Sequence, residues 1–188
     1  MRRVRLFIAS SLDGYIAGPN ESLDWLFTDE DYGYDAFIEQ VDVLAMGRRT
    51  FETVLGFGEW PYAGKRTFVF SRSENPPLDP RVTYTSQTPG EWLAERYAEL
   101  ATHRSASGAP GAGGADPAKD IWLVGGGELI RGFLDEFLVD ELIVAVHPVV
   151  LGGGTPLIPA GTHRHRLRLV SQQAFDSGLV QLHYVVQR

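Results

Sequence analysis

The sequence contains no cysteine. Disulfides, thiolate nucleophiles and sulfur-ligated metals are therefore excluded together, and a reducing cytoplasm is the expected compartment. Long apolar runs are missing too: nothing approaches the roughly 20 residues that a membrane helix needs. The basic start, Met1 to Ile8, loses its apolar character at Ser10, Ser11 and Asp13, so no signal peptide can be built from it. Positive charge is in short supply, with 17 Lys and Arg against 24 Asp and Glu and a formal net charge of −7. That balance disfavours sequence-independent nucleic-acid binding, which rests on cations neutralising phosphates, and leaves a small molecule as the expected partner. Large apolar side chains are scarce at about 105–119, where Ser, Gly, Ala, Pro and Asp dominate. This reads as a flexible insertion within a single domain spanning 1–188, because Ile121–Val124 beyond it is a strand that needs partners on both sides.

With 44% hydrophobic and 22% charged residues, the chain has the balance of a globular domain. Apolar runs at 4–9, 41–46, 66–71, 82–84, 121–124 and 140–148 read as strands, and 166–175 with 179–186 form a hairpin around Asp176-Ser177-Gly178. Helices are predicted over about 29–40, after Gly47, from Pro89 and from Glu128. The order is βα-rich first and β-rich last. Repeated right-handed crossovers then imply an α/β fold with a mainly parallel sheet, edged by an antiparallel hairpin.

Three strand ends carry ligand-binding chemistry. Val124-Gly125-Gly126-Gly127-Glu128-Leu129 puts three glycines between a buried strand and a helix start, whose free N–H groups suit a pyrophosphate. A tight turn that uses glycine only for its conformational freedom is the other reading. The spacing is not G-x-G-x-x-G, so the Rossmann fingerprint is absent. Met46-Gly47-Arg48-Arg49-Thr50 places two guanidinium groups at a helix start, where they oppose the helix dipole; a bound anion would favour them, and solvated surface charges are the alternative. Phe70-Ser71-Arg72 closes a third strand with a hydroxyl and a cation. Arg48, Arg49, Ser71 and Arg72 together favour NADPH over NADH, whose ribose is usually held by an acidic residue.

These motifs, together with Ser11-Leu12-Asp13-Gly14-Tyr15-Ile16-Ala17 and His147-Pro148-Val149-Val150-Leu151-Gly152-Gly153-Gly154-Thr155-Pro156-Leu157, occur in an order that resembles the reductase domain of bacterial deaminase-reductases of riboflavin synthesis. That domain is related to dihydrofolate reductase. The resemblance implies a dihydrofolate-reductase-like three-layer fold with a sheet of about eight strands. It also implies NADPH across the sheet's carboxyl edge, held by Gly47, Arg48, Arg49 and Thr50 at phosphates and by Ser71 and Arg72 at the adenosine side. Val124, Gly125, Gly126, Gly127, Glu128 and Leu129 would line the pyrophosphate and nicotinamide end. Ala9 and the 13–18 loop, with Gly14 and Ile16, would cover the nicotinamide. Relatives of this kind are often homodimers, and the final strands would be the natural contact surface.

Two departures stand out. A zinc deaminase unit cannot be built without cysteine, and Thr53 to Trp60 replaces the Ala-Asp-Asp-Pro signature of the riboflavin reductases. The expected function is NADPH-dependent hydride transfer to a small heterocyclic, carbonyl or imine substrate. A true dihydrofolate reductase and a non-catalytic NADPH-binding module are the alternatives. Such a reaction needs an acid, and Asp31 falls where dihydrofolate reductases keep their substrate carboxylate, with Asp29, Tyr32 and Asp35 beside it. These acids could equally charge the start of an exposed helix. Gly152 to Gly154 suggest a bend near the site. His163 and His165 read as surface histidines, and no metal is predicted.

Overall fold

Apolar runs of four to eight residues become the central strands here because helices cover both faces of the middle of the sheet, so each run buries side chains in alternating directions. The computed structural model describes residues 2–73, 75–106 and 119–188. Its strands are β1 (Val4–Ser11), β2 (Tyr15–Ala17), β3 (Val41–Gly47), β4 (Arg66–Phe70), β5 (Val82–Thr85), β6 (Asp120–Gly125), β7 (Glu141–His147), β8 (Thr155–Pro156), β9 (Arg166–Ala174) and β10 (Val180–Gln187). The α-helices are α1 (Tyr34–Ile38), α2 (Arg48–Gly56), α3 (Pro89–Ala106) and α4 (Gly127–Asp135). Of the insertion predicted at about 105–119, residues 107–118 lie outside the described residues.

One eight-stranded sheet has the order β5-β4-β3-β6-β1-β7-β10-β9. The six strands from β5 to β7 are parallel, and β10 runs antiparallel to both β7 and β9. This is the predicted dihydrofolate-reductase-like arrangement. Alternation along β3 and β6 builds two cores. Val43, Ala45, Ile121 and Leu123 face Trp92 and Leu93 of α3 and Ile130, Phe133 and Leu134 of α4. Leu44, Met46, Trp122 and Val124 face Phe37 of α1 and Phe51 and Val54 of α2.

Two elements differ from expectation. The helix predicted over 29–40 is only Tyr34–Ile38, because Tyr32 (φ 51) and Gly33 (φ 79) adopt left-handed backbone just before it. The small antiparallel pair β2–β8 was not predicted; its strands are too short to show a period.

At the amino edge of the parallel strands, β1 is held between β6 and β7 by buried charge. Arg5, 6% exposed, donates from Nε to Glu141 at 2.9 Å and from a terminal nitrogen to Gln40 at 2.8 Å. Arg3 donates to Asp120 at 2.6 Å and to Glu141 at 2.5 Å, and its main-chain N–H reaches Asp120 at 3.0 Å. The strand register follows, with Arg5 opposite both Glu141 and Trp122. Glu141→Gln removes the nearer of the two carboxylates on Arg5, leaving Asp120 at 3.5 Å, and is expected to cost about 2–3 kcal/mol in urea unfolding. Glu52→Gln, which removes the exposed partner of Arg48, should cost under about 1 kcal/mol. Equal losses would contradict a structural role for the buried cluster.

Candidate functional site

Because β5, β4, β3, β6, β1 and β7 are parallel, their carboxyl ends share one edge. The β3–α2 and β6–α4 corners touch there. A side chain added at Gly47 would lie 3.8 Å from the Gly125 carbonyl oxygen and the Gly126 nitrogen. One added at Gly126 would lie 3.3 Å from Thr50 Oγ1. Gly125 has φ +137, a conformation that L side chains rarely adopt. Both helices begin at glycine, Gly47 and Gly126, with no side-chain cap. Two helix N-termini with unsatisfied N–H groups therefore adjoin.

A crevice opens beside them. The β1–β6 pairing stops at Leu6 and Leu123, whereas β3 follows β6 to Gly125 and β7 follows β1 to Ser11. At this point the chain direction also switches: α2 leaves over one face and α4 over the other. Open α/β sheets bind ligands at such switch points.

The predicted cations line the same edge. Arg48 pairs with Glu52 of its own helix at 2.8 Å. Among the described residues, Arg49 and Arg72 are exposed and make no ion pair. Ser71 ends β4, where its N–H donates to Thr85 at 2.9 Å and its hydroxyl accepts the Ser73 N–H at 3.2 Å. From β4 to β1 there are three strand spacings, about 14 Å, so Ser71, Arg49, Gly126 and Ala9 form a row rather than a cluster. A separate groove of about 470 Å³ runs between β5 and α3. Its guanidiniums, Arg66 and Arg96, are already paired with Glu95 and Glu99.

The remaining glycine-motif residues divide by role. Val124 is buried against the α1–α2 side, Leu129 packs on the opposite core, and Glu128 is exposed in the first turn of α4. A side chain on Gly127 would meet the Pro156 carbonyl at 2.4 Å, so this glycine admits the 155–159 segment. Beyond β1, the Ser11 hydroxyl donates to Asp13 at 2.7 Å and accepts the Tyr15 N–H at 2.9 Å. Asp13 in turn accepts the N–H groups of Leu151 (3.1 Å) and Gly152 (2.7 Å). The Gly14 carbonyl accepts the Leu157 N–H at 2.8 Å, and half-buried Ile16 lies in β2. The 13–18 loop and the 149–157 loop are thus zipped together at the ends of β1 and β7. Gly154 (φ +129) is required there, since a side chain would lie 2.0 Å from the Ala17 carbonyl.

The candidate acids lie on the same edge, toward β7 and β10, but they are engaged. Asp31 accepts the main-chain N–H groups of Gly33 (2.9 Å) and Asp35 (2.8 Å). The Tyr32 hydroxyl donates to Asp29 at 2.7 Å and lies 3.0 Å from Ser177 Oγ in the β9–β10 turn. Desolvation raises the Tyr32 phenol, which stays protonated. Two features escaped the sequence reading. His147, a buried imidazole at the end of β7, accepts the Phe27 N–H at 3.2 Å; its place after an apolar strand was the available signal. The Asp13 latch had none, because its partners lie 138 and 139 residues away.

Comparison with known proteins agrees with this geometry. The RibD C-terminal domain family model matches residues 114–181. The uncharacterized protein YwjB of Bacillus subtilis (strain 168) is 37% identical over 98% of this chain and 98% of its own. The chain belongs to the RibD C-terminal domain family. A protein of Shewanella sp. PV-4 ascribed to riboflavin biosynthesis superposes with TM-score 0.81 and 29% identity, covering 99% of each chain. The deaminase/reductase of Thermotoga maritima shares the fold, with TM-score 0.69 and 15% identity over 99% of this chain and 57% of that one. No helix among the described residues is long and apolar enough to cross a membrane.

In this RibD C-terminal domain the Asp13 latch makes a direct prediction. The Ser11 hydroxyl, then the Leu151 and Gly152 N–H groups, lower its carboxyl from 3.8 to about 2. The latch is therefore complete above the ordinary carboxylate range and is lost only as pH falls toward that lowered value. Amide exchange at Leu151 and Gly152, corrected for intrinsic rates, should stay protected from about pH 8 to about pH 4. Asp13→Asn should accelerate it about tenfold. Unchanged protection in the variant would remove the latch.

Proposed function

We propose that the protein is an NADPH-dependent reductase that passes hydride to a small heterocyclic, carbonyl or imine substrate. The supporting observation is the pair of uncapped helix N-termini meeting at the β3–β6 corner, with Arg49 in the first turn of α2 and Arg72 just beyond β4 making no ion pair among the described residues. Peptide N–H groups and a dipole end suit a pyrophosphate, and two guanidiniums suit a further phosphate. The relatives with riboflavin-pathway names point the same way.

In this reading, Gly47, Thr50, Gly126, Gly127 and Glu128 hold the pyrophosphate through main-chain N–H groups and the Thr50 hydroxyl. Arg48, Arg49, Ser71 and Arg72 take the adenosine-side phosphate. Gly125 supplies the turn that brings α4's start to β3, while Val124 and Leu129 anchor the corner in the two cores. Ala9, Gly14 and Ile16 border the nicotinamide end. The cofactor, when bound, supplies the hydride; the protein positions it and holds a proton for the acceptor atom. The Tyr32–Asp29 pair is the proposed proton store, and Asp31 caps α1 while adding negative potential beside it.

A second copy of this chain is the proposed partner of β9. The whole strand is exposed at the edge of the sheet. Leu167 and Leu169 continue the apolar face of Val186 and Tyr184 at 41% and 47% exposure. Leu169→Lys should convert a dimer into a monomer in light scattering; a wild-type monomer contradicts the proposal.

Titration of NADPH and NADH against protein fluorescence tests the cofactor. Arg49→Ala and Arg72→Ala should each weaken NADPH about tenfold and NADH less than about twofold. Equal losses would remove the phosphate selectivity, and no binding by the wild type would end the reductase reading.

A further inference from the structure

The segment 23–28, Leu-Asp-Trp-Leu-Phe-Thr, has no helix or strand, yet it is held against His147 at the carboxyl end of β7. Its internal contacts are local: Leu26 N–H donates to the Leu23 carbonyl at 3.1 Å, and Trp25 Nε1 donates to Ser22 at 3.2 Å. Among the described residues, a single hydrogen bond ties 23–28 to the sheet. It runs from the Phe27 N–H to His147 Nε2, at 3.2 Å.

His147 is built for that contact. It is 3% exposed, and its Nδ1 lies 3.2 Å from the Ala145 carbonyl, which can only accept. Nδ1 therefore carries the proton, and Nε2 offers a lone pair to Phe27. The ring is packed by Trp25 edge-on, with centroids 5.1 Å apart, and by Phe27 at 4.9 Å. We propose that His147 is a positioning residue whose Nε2 lone pair holds Trp25–Phe27 as a wall over the substrate end of the site, so that losing this acceptor opens the wall. The inference rests on the reductase reading for what the wall encloses, but the tether itself does not.

The groups facing the imidazole come from every element around it: the Ala145 carbonyl on its own strand, the Ser10 carbonyl on β1, and the Asp29 carboxylate beyond the wall. Burial outweighs all three and lowers the imidazole from 6.5. The native wall therefore favours the neutral ring. Its tether is complete above the ordinary value and is lost as pH falls through the lowered one. A proton on Nε2 would leave two donors, Phe27 N–H and Nε2–H, facing each other.

Two substitutions separate the acceptor from the packing. His147→Phe keeps an aromatic ring but no lone pair; His147→Gln keeps a carbonyl acceptor at similar reach. Hydrogen exchange of the Phe27 amide reads the tether, and the emission enhancement of bound NADPH reads shielding of its nicotinamide. At about pH 8, His147→Phe should exchange about tenfold faster than wild type and lose about half of the enhancement, while His147→Gln retains both. Wild-type exchange, corrected for intrinsic rates, should rise as pH is taken from about 8 to below the ordinary imidazole value and on through the lowered one, and that of His147→Gln should not.

Wild-type protection in His147→Phe, or the same pH response in His147→Gln, would overturn the tether. Faster exchange with unchanged nicotinamide emission would reduce His147 to a structural role and overturn the positioning claim. If wild type binds no NADPH, the reductase reading fails and takes the positioning role with it, whereas the exchange data still decide the tether.

Discussion

The carboxyl edge owes its chemistry to one topological constraint: β6 enters the sheet between β3 and β1. From β3 the chain moves outward through α2 to β4 and β5; α3 then returns it to the middle, and α4 carries it on to β7. Right-handed crossovers in opposite directions place α2 and α4 on opposite faces, with their N-termini at adjoining corners. Each helix start carries roughly half a positive charge. Had β6 been added beyond β5, the same two motifs would stand about 14 Å apart, and no single pyrophosphate would touch both.

The two edges of the sheet handle charge in opposite ways. At the amino edge, Asp120, Glu141 and Asp140 sit at or beside strand starts and are answered by Arg3, Arg5, Arg188 and the Val4 main chain. Breaking such a buried pair is costly, so the cluster fixes β1 in register between β6 and β7. At the carboxyl edge the starts of α2 and α4 lack side-chain caps, and Arg49 and Arg72 have no ion-pair partner among the described residues. Register is secured at one end, and unsatisfied donors are left at the other. The crevice between β1 and β6 is compatible with a stable sheet because the amino-edge ions hold those same strands together.

What could be read from the sequence follows the same division. The central parallel strands were legible because burial on both faces makes them continuous apolar runs, the C-terminal hairpin because Asp176-Ser177-Gly178 marks its turn, and the strand–glycine–helix corners because glycine punctuates them. Helix α1 was not: Thr28, Asp29 and Glu30 look like a helix start, yet Asp31 spends its carboxylate on Gly33 and Asp35 and the chain turns left-handed at Tyr32. For Asp31, helix-start chemistry and a substrate carboxylate predict the same residue type, and only the hydrogen bonds distinguish them. Loop-to-loop contacts such as Asp13 with Leu151 and Gly152, or Phe27 with His147, leave no local pattern, since their partners are more than a hundred residues apart.

The three consecutive glycines illustrate how one motif can serve several constraints. Gly125 is needed for its positive φ, Gly126 for its approach to Thr50, and Gly127 for the Pro156 carbonyl and Pro159 ring against it. The third contact has the longest reach. Pro156 belongs to β8, which pairs with β2, and the next residue, Leu157, donates to the Gly14 carbonyl. The start of α4 is thereby packed against the loop that borders the end of β1, on the far side of the crevice. The corner proposed to hold phosphates and the loops proposed to border the reacting end thus form one packed unit.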